Sequence, residues 1–350
     1  MNNKDQWNKP VITEHGNMEE ITKGIPQMGG AKEVGGDDGG TWLGQSVSGW
    51  LYNYFYQAFN KSINSDKNIV FFQERHPSSG SDIKIFQKKL SNKYVKHNDD
   101  SFKDTKKNKC VIFLKSKIIF EINKSGEIYY ECLKKFDESS FAKIICNMAL
   151  PMYFVLNDFL AVHASAATVN GKNIIFSGKS GNGKSNALLD CLQGGAELIT
   201  EDLAIISNID SGSYIHPAYP ILNIKKEMLY RVTNEDIFSK KMFLKESNDK
   251  LPVKIKNLAK KPKNIDFIIF LEWSDENSFN QISQKDAFLK IIANSWHSYP
   301  FVEDRDRTEI QIQNITQLVS SSNAYLLKRN KDNINVADYS ITDEIINILK

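Results

Sequence analysis

A chain of 350 residues with 45 Lys and Arg against 42 Asp and Glu is long enough to bury a sizeable core, and its formal net charge of +3 is too small to suggest a nucleic-acid surface. The four cysteines, Cys110, Cys132, Cys146 and Cys191, form no C-x-x-C pair, which argues against a zinc site or a disulfide framework and fits buried thiols in a reducing compartment. No apolar run reaches the roughly 18 residues of a membrane span, and the opening MNNKDQWNKP lacks a secretory pattern, so the expected location is cytoplasmic, with neither membrane nor nucleic acid as partner.

Residues 1–48 differ from the rest of the chain. They hold four Lys and seven Asp or Glu, a net charge of −3 that leaves about +6 for the remainder, and the stretch GGAKEVGGDDGG can bury little. A boundary is expected near Gly49, with a strand-rich lobe over 49–140 and a larger domain over 141–350. WLYNYFYQAF, NIVFF, CVIFLKSKIIFEI and GEIYYECL read as strands, the last two runs as a hairpin through Asn123–Gly126. Residues 77–109 are polar and lysine-rich and read as loop with some helix. FAKIICNMALPMYFVLND shows helical spacing and ends near Asn157–Asp158.

The second half alternates strands and helices. NIIFSG is a buried strand, SNALLDCLQGG a helix stopped by two glycines, ELITEDLAII a second strand, and NIDFIIFLEW, Asn264 to Trp273, a third, apolar enough for burial on both faces. Further helices are expected at DAFLKIIANSW and ITDEIINIL.

Between the first strand and its helix lies GKSGNGKS, which fits the phosphate-binding pattern G-x-x-x-x-G-K-[ST] in the strand–loop–helix setting that the motif demands. Its residues are Gly178, Lys179, Ser180, Gly181, Asn182, Gly183, Lys184 and Ser185, with Asn186 next in the chain. Glycines let backbone N–H groups curl around phosphate oxygens, Lys184 reaches the outer phosphates, and the Ser185 hydroxyl ligates Mg²⁺. Two adjacent carboxylates in the TED triplet, Glu201 and Asp202, can divide metal binding and proton acceptance between them.

The continuous segment from Val162 to Ile206, VHASAATVNGKNIIFSGKSGNGKSNALLDCLQGGAELITEDLAII, resembles the core of the HPr-kinase-like serine kinases. HPAYPILNI, His216 to Ile224, is similar to the proline-containing stretch that comes next in that group. The resemblance implies an α/β fold with a P-loop kinase core, an HPr kinase/PEP carboxykinase-like sheet with flanking helices, and ATP and Mg²⁺ as cofactors. It also implies His163 beside the phosphates, Asp202 as metal ligand with Ser185, and Glu201 as proton acceptor, the two acids' roles being exchangeable. Glu201 stands where the group usually has Asp, and Asn186 where it often has Thr, Ser or Glu. No match is found to the long glycine-containing stretch that accompanies phosphorolysis. His216, His297, Arg305 and Arg307 are further candidates to line the site, although EDRDR also reads as a solvated loop.

The tail adds a second resemblance. Trp7, Pro10, Ile12, Gly16 and Thr22 are spaced as in the leaders of lasso-peptide precursors, a pattern suited to pairing with a sheet edge. A core peptide would then begin at Gly24, yet its seventh to ninth residues, Gly30, Ala31 and Lys32, cannot close a side-chain lactam; Glu33 comes one later. Together the two resemblances imply a serine kinase acting on a precursor peptide, whether a separate one or this chain's own Ser46 or Ser48. An HPr-type or free-serine kinase and a non-catalytic nucleotide-binding scaffold are the alternatives, and homo-oligomerisation stays open.

Overall fold

The computed structural model of the protein describes residues 54–76, 80–95, 102–106, 108–226, 228, 232–243, 250–295 and 304–330. The chain divides into two units, Met1–Gly40 and Thr41–Lys350, and all the described residues belong to the second. The leader-like tail, Ser46, Ser48, His297 and the helix expected at ITDEIINIL lie outside the described residues.

Eight strands make the first sheet: β1 (Tyr54–Ala58), β2 (Lys61–Ser65), β3 (Gln73–Glu74), β4 (Ile83–Gln87), β5 (Phe102–Lys106), β6 (Lys109–Leu114), β7 (Ile118–Asn123) and β8 (Glu127–Cys132). Their order is β3-β1-β2-β4-β8-β7-β6-β5, with the single-turn helix α1 (Ser91–Tyr94) between β4 and β5. The hairpin of β7 and β8 is as expected. CVIFLKSKIIFEI, however, turns at residues 115–117 and is two antiparallel strands. The lysine-rich stretch contains β4 and β5: in β4, Ile83 and Ile85 are buried while Lys84 is exposed, the alternation of a strand with one wet face. NIVFF is a turn, not a strand. Its Ile69, Phe71 and Phe72 are buried all the same, the two phenylalanine rings lying 5.9 and 5.7 Å from the ring of Tyr219.

Helix α2 (Glu138–Leu156) comes next, its first turn capped by Asp137, which accepts from the Ser140 N–H. Residues Ile145–Ala149 form a π turn. Pro151 has no N–H to return to the carbonyl four residues earlier, and a widened turn just ahead of it absorbs the lost bond. Among the described residues α2 is the one helix long and apolar enough to cross a membrane, and nearly all of it is buried within the fold, as a core helix would be.

The remaining strands are β9 (Leu160–Val162), β10 (Ala164–Val169), β11 (Lys172–Ser177), β12 (Glu197–Thr200), β13 (Ala204–Ile209), β14 (Gly212–Ile215), β15 (Ile221–Lys225), β16 (Phe238–Phe243), β17 (Lys250–Ile255), β18 (Lys263–Asn264), β19 (Phe267–Ser274), β20 (Ser278–Gln281) and β21 (Asn323–Asn330). Helices α3 (Lys184–Gln193), α4 (Gln284–Asn294) and α5 (Arg305–Ser321) join them. A six-stranded sheet, β12-β10-β11-β19-β21-β20, has β11, β19 and β21 parallel at its centre. The other sheets are β18-β14-β13-β9 and β15-β17-β16. The fold is mixed α/β, with strands far outnumbering helices among the described residues.

Alternation along the central strands builds two cores. Ile174 and Phe176 of β11 and Ile269 and Leu271 of β19 face a cluster with Leu188 and Leu192 of α3 and Leu222 and Val253 of the three-stranded sheet. Ile175, Ile268 and Phe270 face the other, with Ile291 of α4, Ile315 and Leu318 of α5, and Ile206 of β13. Burial on both faces is why these strands read as continuous apolar runs.

The structure overturns two further readings of the sequence. ELITEDLAII is not one strand but β12 and β13, which belong to different sheets and are joined by a tight turn at Glu201–Leu203. Within EDRDR, Arg305–Arg307 open α5 rather than a loop, capped by Asp304, which accepts from the Arg307 N–H. Arg307 is buried, and its Nη1 donates to the carbonyls of Val155 (2.9 Å) and Leu156 (3.1 Å) at the end of α2, with carboxylates of Asp158 and Asp304 each 3.6 Å away. A guanidinium there meets the negative end of the helix dipole and the terminal carbonyls together. Arg307→Met is expected to lower stability by about 3 kcal/mol, since it strips charge-assisted bonds from a buried site. Urea unfolding checks this, and a loss indistinguishable from that of exposed Arg305→Met would show that the contact is idle.

Candidate functional site

Strand β11 ends at Ser177, and residues 178–183 lead directly into α3, at the carboxyl ends of the three parallel strands where open α/β sheets hold ligands. Two glycines are required by close approach. A Cβ on Gly178 would lie 2.6 Å from the Leu271 carbonyl oxygen, and one on Gly183 would lie 2.8 Å from Nη2 of Arg329, where φ is also +79°. The loop is held from its flank: Asn182 donates to the Leu271 carbonyl (2.7 Å), Trp273 Nε1 to the Gly181 carbonyl (3.1 Å), and Arg329 to the Asn182 carbonyl. Trp273 and Arg329 are directly opposite in the β19–β21 register, and the guanidinium stacks 4.7 Å over the indole.

Lys184 is buried at the first turn of α3 and its Nζ donates to the loop carbonyls of Gly178 (2.7 Å) and Lys179 (3.2 Å). Burial pulls its pKa down to about 8, against the opposing pull of Asp202 and Glu201. Lys179 and Ser180 are exposed, whereas Asn182, Ser185 and Asn186 are half-buried.

The acidic pair sits on the turn between β12 and β13. The Leu203 N–H bonds back to the Glu201 carbonyl (2.9 Å) across Asp202, whose φ is +71°. This matches the rare γ-turn with a left-handed central residue, a conformation that costs energy and turns two neighbouring carboxylates in different directions. Glu201 is 1% exposed. Its Oε1 accepts from the Ser185 hydroxyl (2.8 Å) and its Oε2 from the Asn223 amide (2.8 Å). Burial and the charge of Asp202 push its pKa up to about 7. Asp202 keeps 27% of its side chain exposed, with Oδ1 3.4 Å from Nδ1 of His163. Burial raises and the neighbouring cations lower its pKa, with a net downward shift, so it is ionised at neutral pH. His163 Nδ1 also contacts the Asp202 backbone carbonyl at 3.1 Å, and burial lowers the imidazole's pKa. A neutral ring that donates Nδ1–H to that carbonyl carries its basic nitrogen at Nε2.

Lys184, Ser185, Glu201, Asp202 and His163 thus come together, but the acid that Ser185 meets is Glu201, not the Asp202 expected to share a metal with it. His216 packs elsewhere: its Nε2 lies 2.9 Å from the Ser207 hydroxyl, its ring is edge-on to Phe159, and burial lowers its pKa to about 4. Arg305 is exposed and paired with Glu309, and Arg307 caps α2. Sequence reasoning missed Asn223, Trp273 and Arg329. Asn223 lies inside the HPAYPILNI stretch, where a lone amide in an apolar strand was a usable signal; the other two depend on a long-range parallel register that no local pattern reports.

No family model matches the chain. Over 136 residues it is 26% identical to the HPr kinase/phosphorylase of Lachnoclostridium phytofermentans, a stretch amounting to 39% of this chain and 40% of that protein, so the chain spans well under half the length of this curated relative. The solved Hpr(Ser) kinase/phosphatase from Coxiella burnetii aligns over 54% of this chain and 90% of its own, at 10% identity and a TM-score of 0.29, a value that by itself establishes no common fold.

Proposed function

We propose that the chain is a kinase that transfers a phosphoryl group from ATP to a serine hydroxyl, with a peptide as the acceptor. The observation that carries this reading is the Ser185–Glu201 hydrogen bond at the mouth of the P-loop. It joins the motif's hydroxyl to a buried carboxylate, with a second carboxylate one residue away and a histidine against that second acid. The sequence likeness to an HPr kinase/phosphorylase supports the same chemistry.

The donor set fits Mg²⁺. The ion takes one or two carboxylates and a hydroxyl and leaves its other positions to phosphate and water, so the absence of a cluster of three or more His, Cys, Asp or Glu among the described residues is no obstacle. Ser185 and Glu201 would hold it, and bound there it would neutralise charge on the outer phosphates. The loop amides and Lys184 would cradle those phosphates. Asp202, ionised and partly exposed beside His163, is better placed than Glu201 to accept the serine proton, so the two acids exchange the roles first expected of them. Positioning and charge stabilisation would supply most of the rate.

Intact mass of the protein after incubation with ATP and Mg²⁺, alone and with candidate precursor peptides, tests the reading against Lys184→Ala. One added phosphate on a serine, lost in the variant, is the expected outcome. ADP formation without any phosphopeptide would favour the scaffold alternative, and label confined to HPr or free serine would move the acceptor there.

Glu201 also brings a pH dependence. Its folded pKa lies above the unfolded value of about 4.5, so its contribution to stability is full below that value and is lost as pH rises towards 7. Glu201→Gln mimics the protonated form. The variant should therefore be nearly as stable as the wild type at pH 5 and more stable at pH 8, by thermal unfolding in each buffer. An equal difference at both pH values would refute the buried-proton account.

A further inference from the structure

One aromatic side chain at the site is larger than its structural task requires. In the β11–β19 register Ser177 stands opposite Phe270, so Trp273 lies past the end of β11, beside the phosphate loop and not the sheet. Ile269 and Leu271 enter the core on the α3 side, and Trp273 continues that face by alternation, as Arg329 does beyond Leu327 of β21. The indole belongs to neither core and is half-buried. It is nevertheless fixed: Nε1 donates to the Gly181 carbonyl (3.1 Å), and the buried Arg329 guanidinium covers one ring face at 4.7 Å. Bracing the loop asks only for an N–H donor, a task that the small amide of Asn182 performs next door. A flat ring whose plane is set before any ligand arrives is a stacking surface with little ordering left to lose on binding.

The sheet order indicates which part of a nucleotide would reach that ring. Glu201 is on the turn after β12, and its bond to Ser185 marks the side of the loop where the outer phosphates and Mg²⁺ would sit. Strand β12 lies beyond β10 on one flank of β11, whereas β19 and β21 lie on the other. A nucleotide with its outer phosphates at the acids would extend its base towards β19 and β21. We propose that the ring face of Trp273 opposite Arg329 is the platform on which the nucleotide base stacks, and that the Nε1 bond ties base binding to the set of the phosphate loop. The inference rests on the kinase reading only for the presence of a nucleotide.

The test compares MgADP with magnesium pyrophosphate, which offers the phosphates without a base, by titration calorimetry on the full-length protein, Trp273→Leu and Trp273→Phe. Base–aromatic stacking of ordinary strength predicts that Trp273→Leu lowers the preference for ADP over pyrophosphate by about tenfold. Trp273→Phe loses the Nε1 donor but keeps a ring, so both ligands should weaken together while the preference stays within about threefold of the wild type. Fluorescence gives a second readout that does not depend on the folding of Trp273→Leu. ADP should quench part of the emission of the chain's five tryptophans, pyrophosphate should not, and the quenched part should be missing from Trp273→Phe. An unchanged preference in Trp273→Leu, or equal quenching in the wild type and Trp273→Phe, would reduce Trp273 to a brace; it would overturn the proposal and leave the kinase reading standing. If neither ligand binds the wild type, the nucleotide reading and the platform fall together. A preference that follows Trp273, with no phosphoserine formed from ATP, keeps the platform and removes the kinase reading.

Discussion

The buried carboxylate of Glu201 is the constraint around which the rest of the molecule is arranged. An unpaired carboxylate at that depth would either stay protonated or unfold its surroundings. Both of its oxygens are satisfied, by the hydroxyl at the start of α3 and by the amide of β15, and burial still holds its pKa up at about 7. Three structural elements are thereby tied at one point: the start of α3, the turn between the six- and four-stranded sheets, and the three-stranded sheet. The γ-turn at Asp202 belongs to the same device, since it lets one carboxylate point inward while its neighbour stays near solvent.

The cations are graded by depth around that pair. Lys184 is buried among loop carbonyls, Lys143 is half-buried on α2, and Lys225 and Lys250 are exposed on the three-stranded sheet. The loop itself is braced rather than free to collapse: Arg329 and Trp273, stacked on neighbouring strands, hold the carbonyls of Asn182 and Gly181 outward. With those carbonyls turned away, the loop's N–H groups are left to face an anion.

How much of this was legible in the sequence depended on range. The P-loop, its strand and its helix are local, and GKSGNGKS places all three. The doubly buried strand β19 was visible because burial on both faces leaves an unbroken apolar run. ELITEDLAII misled for the same reason: two buried strands with a two-residue acidic turn between them look like one long strand, and nothing local shows that they enter different sheets. β4 was hidden by Lys84 on its wet face and by the polar, lysine-rich sequence around it, and NIVFF mimicked a strand because buried turns are as apolar as strands. The α5 start was readable in principle, as Asp304 is a good cap, but five charged residues in a row argue louder for a loop.

The site shows the same division in sharper form. Its candidate residues are given by motif spacing, yet their division of labour is not, because adjacent acids cannot be told apart by sequence. That distinction comes from a single backbone torsion and two hydrogen bonds. The extra methylene of Glu201 then has a physical reading. A carboxylate that must cross from the β12–β13 turn to reach both Ser185 and Asn223 gains from the longer arm, whereas the carboxylate beside His163 needs only the reach of Asp202. A residue that looks like a weakened base in the sequence is, in the fold, suited to the inner of the two positions.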